Sequence, residues 1–135
     1  MTELLQRVVY IEDEPDIQAI VRIALEAVGG IKVSIFSSGS EALANAAGCQ
    51  PQMLVLDVMM PGLDGPTTLR LLREQSALSA IPAVFMTAKA QPQEIEVLLG
   101  QGAIAVISKP FDPMLLASQL QQHWQNWCAQ NSESK

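Results

Sequence analysis

Four kinds of chemistry-bearing residue stand just after four apolar runs of this chain. The acids Glu12 and Asp13 follow RVVYI (Arg7 to Ile11), and Asp57 follows MLVL (Met53 to Leu56). Thr87 follows IPAVFM (Ile81 to Met86), and Lys109 comes shortly after IAVI (Ile104 to Ile107). Taken singly, each has an ordinary explanation. Asp13 could cap a helix, with Glu14 and Asp16 favoured by the dipole in its first turn. Asp57 could close a strand as a turn residue, Thr87 could bond to backbone, and Lys109 could be a surface charge. None of these explains why three carboxylates and a lysine share one kind of place. If the runs are neighbouring strands, the carboxylates converge and repel, and their pKa values rise unless a cation shares the site. A divalent ion and Lys109 would relieve the repulsion. Oxygen ligands with spare coordination positions suit Mg²⁺. A metal beside Asp57, facing an ammonium, is a geometry for phosphoryl transfer, with Asp57 as in-line nucleophile and an acyl phosphate as product.

Positioning these residues requires a particular scaffold. A further apolar run, Ile31 to Phe36, ends in Ser37-Ser38 and offers no comparable chemistry. Most runs are continuously apolar, as expected of strands covered on both faces. Between the first two, Ile17, Ile20, Val21, Ala24, Leu25 and Val28 form a helical stripe that stops at Gly29-Gly30. Ser38 or Ser40 can cap a second helix through Ala47, and Asp64-Gly65-Pro66 opens a third. A fourth runs from Pro92 to Leu99, and the last begins at Asp112-Pro113 and continues through Leu116, Leu120, Trp124 and Trp127. Five strand–helix units with right-handed crossovers give a doubly wound α/β three-layer sandwich on a five-stranded parallel sheet. Its ligand site lies beyond the carboxyl ends of the strands, where the acids, hydroxyl and lysine stand.

Composition agrees with one such domain. The chain has 135 residues, 49% hydrophobic and 16% charged, enough to bury a core and unlike disordered, collagenous or coiled-coil sequences. A net charge of -6 disfavours direct binding to nucleic acid or to anionic membranes. No stretch approaches the roughly 20 apolar residues of a bilayer span, so a cytoplasmic protein is expected. Cys49 and Cys128 match no metal motif and read as small hydrophobes rather than a disulfide. His123 is given no role. Met53, Met59, Met60, Met86 and Met114 read as core and pocket lining.

The segments IEDEPD (11 to 16), LVLDVMMPGLDG (54 to 65), FMTAKA (85 to 90) and GAIAVISKPF (102 to 111) together resemble the receiver domain of two-component response regulators, chemotaxis-regulator-like, from Val8 to about Gln122. The resemblance implies flavodoxin-like strand order 2-1-3-4-5. It implies that Asp57 accepts a phosphoryl group from a sensor histidine kinase or histidine phosphotransfer protein. Asp13, Asp57 and the Met59 backbone carbonyl would ligate Mg²⁺, with Glu12 acting through a metal-bound water. Lys109 and the Ala88 amide would bind phosphoryl oxygens, Thr87 would turn its hydroxyl toward them, and the Lys109–Pro110 bond would be cis. Three features depart from the family's usual pattern or lie where it varies. The acid pair is Glu-Asp rather than Asp-Asp. Val106 stands where the family usually has an aromatic switch residue. Met59 and Lys89 lie at positions that govern water access to the phosphoryl group.

The receiver domain is expected to span 1–128, followed by a polar tail, 129–135, with no output domain. Signalling would then proceed through contact with a downstream protein that the sequence does not identify. Trp124 and Trp127 either finish the core or form an exposed patch for a partner or homodimer. The chain would be no enzyme beyond its own phosphorylation and dephosphorylation. An aspartyl phosphatase typically has a second acid two residues after the nucleophile, where this chain has Met59. A phosphorylation-independent adaptor with the same fold is the alternative that Val106 keeps open.

Overall fold

A computed structural model describes residues 3–132, the last by its backbone only. The strands are β1 (Arg7–Ile11), β2 (Lys32–Phe36), β3 (Met53–Asp57), β4 (Ala83–Thr87) and β5 (Ala105–Ser108). The helices are α1 (Pro15–Arg22), α2 (Gly39–Asn45), α3 (Gly65–Leu72), α4 (Pro92–Gly100) and α5 (Leu116–Ser132). Among the described residues the strands form one parallel sheet in the order β2-β1-β3-β4-β5. This is the doubly wound α/β fold and strand order expected.

Alternation along the strands divides the core into two layers. Tyr10, Val55, Val84, Met86 and Ile107 face α1 and α5, where Val21, Leu25, Leu116 and Leu120 cover them. Val9, Ile11, Leu54, Leu56 and Phe85 face α2, α3 and α4, under Ala42, Leu69, Leu72 and Leu98. Both faces are buried, which is why the strands read as apolar runs rather than alternating ones.

Several boundaries differ from those read in the sequence. α1 does not continue to the glycines as an α-helix; Ile23–Val28 forms a π-helical segment. The wider turn shifts the buried face, and Val28 is 42% exposed; Ile20 of the expected stripe, on α1 before that turn, is also 41% exposed. A Cβ on Gly29 would lie 2.3 Å from the Cβ of Ala117, so this glycine lets the segment approach α5. α2 is capped by Ser38 rather than Ser40, and its α-helix stops at Asn45, with a 3-10 turn over Ala47–Cys49. α5 begins at Leu116, later than Asp112-Pro113. The Asp112 carboxylate accepts from the Met114 amide, and its carbonyl accepts from Leu115 and Leu116, forming a turn before the helix. α5 also continues to Ser132, so 129–132 of the expected tail are helical, and 133–135 lie outside the described residues.

Trp124 resolves in favour of the core. It is 6% exposed, donates its indole N–H to the Glu3 carbonyl, and stacks on the half-buried Trp127 at 5.5 Å. Cys49 and Cys128 are free thiols. Met59 and Met114 are exposed rather than core, whereas Met53, Met60 and Met86 are buried. Among the described residues no helix is long and apolar enough to cross a membrane.

Candidate functional site

Strand register assembles the site. Ile11 pairs with Leu56, so Glu12 and Asp57 stand beside one another at the next step. Asp57 pairs with Met86 and Thr87 with Ser108, which places Thr87 and Lys109 along the same edge. The ladder extends past the strands: Glu12 donates its amide to Phe36, and Lys109 donates its amide to Thr87 at 2.8 Å. A row of four chain segments thus ends in acid, acid, hydroxyl and ammonium.

Glu12 is fully buried, and Asp57 and Thr87 are each 5% exposed. The Lys109 ammonium lies 3.1 Å from Glu12 Oε1 and 3.1 Å from Asp57 Oδ1, bridging the two. Glu12 Oε2 accepts the Glu14 amide at 3.1 Å. Asp13 does not cap α1: the N-cap residue is Glu14, and its own side chain makes no capping bond. Asp13 is left half-buried beside the pair, and ligand atoms of Glu12, Asp13 and Asp57 lie within 4.8 Å of one another. Three hard oxygen donors at this spacing fit a small divalent cation.

Electrostatics report the crowding. Burial raises the Asp57 pKa, and the charges of Asp13 and Glu14 add to it, against the opposing pull of Lys109. Burial likewise raises Glu12, reinforced by Asp57 and opposed by the Glu14 amide and Lys109. For Lys109, burial pulls downward, but hydrogen bonds and charge from Glu12 and Asp57 outweigh it and raise its pKa. One ammonium does not offset three carboxylates.

The remaining residues sit in the flanking loops. The Thr87 hydroxyl is turned to its own loop, accepting the Lys89 amide at 3.0 Å, rather than toward Asp57. Ala88 is exposed beside it. Met59, 75% exposed, lies on the loop after Asp57 and helps line a cleft of about 450 Å³ with Val58, Thr87, Lys89, Val97 and Leu98. Lys109–Pro110 is cis. Val106 is half-buried and packs on the α2–α4 side of the core.

Two supporting roles are not apparent from the sequence. Gln18 donates from its side chain to the Glu12 carbonyl at 2.6 Å and to the Ser37 hydroxyl at 3.1 Å, tying α1 to the ends of β1 and β2. Gly65 closes the acid loop: its amide donates to the Val58 carbonyl, and a Cβ there would lie 2.4 Å from the Asp57 carbonyl oxygen. A polar residue beside an apolar stripe, and a glycine directly after the helix cap Asp64, were the available signals.

Comparison with known proteins gives a consistent assignment. The model of the response regulator receiver domain matches residues 8–121. Over 120 residues the chain is 31% identical to the DNA-binding response regulator MtrA of Mycolicibacterium smegmatis, covering 89% of this chain and 51% of that protein. Over 103 residues it is 34% identical to the response regulator Rre1 of Synechocystis sp., covering 76% of this chain and 45% of that protein. The chain thus spans about half the length of these relatives. The solved chemotaxis response regulator CheY4 of Vibrio cholerae superposes with a TM-score of 0.80 at 28% identity, covering 88% of this chain and 98% of that one. Sheet order, strand-end residues and family match agree: the chain belongs to the response regulator receiver domain family.

Proposed function

We propose that the protein is a phosphoacceptor switch whose Asp57 receives a phosphoryl group from a phosphohistidine of a sensor kinase or phosphotransfer protein. The observation that carries this reading is the placement of Asp57. One carboxylate oxygen is held by Lys109, the other has no hydrogen bond among the described residues, and Asp13 and Glu12 stand alongside. The free oxygen of Asp57 attacks phosphorus, the new O–P bond forms, and the P–N bond to the donor imidazole breaks. Lys109 is placed to hold an equatorial phosphoryl oxygen, and Thr87 and the Ala88 amide to receive others after an inward movement of their loop. Asp13, Asp57 and the Met59 carbonyl would hold Mg²⁺, with Glu12 acting through a bound water. When bound, the ion neutralises charge that develops on the phosphoryl oxygens. No activity on other substrates is proposed; the phosphorylated protein signals by contact with a downstream protein.

The test is transfer of a labelled phosphoryl group from a phosphorylated histidine phosphotransfer protein in the presence of Mg²⁺. Label should appear on wild type as an acid-stable, base-labile acyl phosphate and be absent from Asp57→Ala. Full labelling of Asp57→Ala would overturn the assignment.

A further inference from the structure

Two buried side-chain hydroxyls have no hydrogen-bond partner among the described residues, Tyr10 and Thr68. Thr68 lies on α3 against Gly39, away from the strand ends. Tyr10 is different. It is fully buried on β1, two residues before Glu12 and therefore on the same face of the sheet. Its neighbour across the ladder is Val55, two residues before Asp57. Tyr10 thus forms the layer directly beneath the two carboxylates. The rest of that layer is hydrophobic, and the charges that act on the Tyr10 phenol are those of Glu12 and Asp57 at the strand ends above it.

A buried phenol without a partner is a cost that a phenylalanine of the same shape would avoid. Glu12 holds the complementary problem in reserve. Both its oxygens are occupied, Oε1 by Lys109 and Oε2 by the Glu14 amide, and bulk water does not reach it. If Lys109 moves onto a phosphoryl oxygen, Oε1 loses this donor, and even beside a metal-bound water the carboxylate keeps acceptor capacity for another. We propose that Tyr10 is a positioning residue that takes over this acceptor: when Asp57 is loaded and Lys109 turns to the phosphoryl group, the Tyr10 hydroxyl donates to Glu12. The hand-over satisfies both groups at once and favours the loaded form. It rests on the phosphoacceptor reading above.

Tyr10 is the sole tyrosine of the chain, so it is its own spectroscopic probe. The experiment compares wild type, Tyr10→Phe and Thr68→Val, each in EDTA and with Mg²⁺ plus beryllofluoride as phosphoryl mimic. Expected is a shift of the single tyrosine Cζ resonance of wild type on loading, and a loss of about tenfold in beryllofluoride affinity for Tyr10→Phe. Tyr10→Phe should match or exceed wild-type Tm in EDTA and fall below it when loaded. Thr68→Val should change Tm equally in both conditions. Equal changes for Tyr10→Phe in the two conditions, with unaltered affinity, overturn the role of Tyr10 while leaving the phosphoacceptor reading intact. Absence of any beryllofluoride response in wild type contradicts both.

Discussion

At the scale of single residues, the site is a charge imbalance held by one lysine. A carboxyl whose folded pKa lies above its unfolded value binds more protons folded than unfolded between those two values, so stability falls as pH rises through that window. Asp57 and Glu12 are both shifted this way. Above that window the cost is fully present, and Asp57→Asn should therefore stabilise the protein in EDTA. The gain should vanish below the ordinary carboxyl range and shrink in Mg²⁺, as read from thermal melts at several pH values. Lys109 has the opposite consequence: its raised pKa contributes stability below the ordinary lysine value of 10.5, lost as pH climbs through the folded value. Lys109→Met should accordingly lower Tm in EDTA and show a larger Mg²⁺-induced rise than wild type, because the metal then relieves more repulsion. An equal Mg²⁺ response in the two proteins would contradict the shared neutralisation. Glu12, Asp13, Asp57, Thr87 and Lys109 were legible in the sequence because each follows an apolar run. Tyr10 and Gln18 were not, since a tyrosine inside such a run reads as core and a glutamine on a helix reads as surface.

At the scale of elements, apolar runs, periodicity and cap signals located the five strands and the five α-helices, but the segment after α1 shows where such signals stop. A stripe at i, i+3, i+4 does not distinguish α from π winding when both end at glycine. The glycine there is a packing requirement, and Gly29→Ala should cost about 1–3 kcal/mol in urea melts, because its Cβ would overlap that of Ala117. Equally invisible was Gln52, whose side chain accepts the Gln6 and Arg7 amides and donates to Glu3 and the Leu4 carbonyl. Long-range bonds of this kind leave no local pattern. On the output side, an inward shift of Thr87 on phosphorylation would give up its bond to Lys89 and change the cleft lined by Val97 and Leu98 of α4. Val106 is too small to follow that movement as an aromatic ring would, so α4 itself should repack. Hydrogen exchange with and without beryllofluoride should change within residues 88–107. Changes confined to the loop after Asp57 would indicate a shuttle read only at its acceptor.

At the scale of the whole molecule, chemistry and tryptophans occupy opposite ends. α5 leaves the site edge, and Trp124 lies about 12 Å along it from Leu116, bonded to the Glu3 carbonyl at the far side. Micromolar Mn²⁺ should therefore leave tryptophan emission nearly unquenched. Strong quenching would place the ion elsewhere. The doubly wound fold and the edge that carries the acids followed from alternating apolar runs and helices, since covering both faces of a parallel sheet leaves few arrangements, whereas the sheet order came from the resemblance to receiver domains. The central claim is a Mg²⁺-dependent acyl phosphate on Asp57, and intact mass after incubation with acetyl phosphate tests it most directly. Wild type should gain the mass of one phosphoryl group in Mg²⁺, with no gain in EDTA or in Asp57→Asn. An unmodified wild type in Mg²⁺, or equal modification of Asp57→Asn, would contradict it.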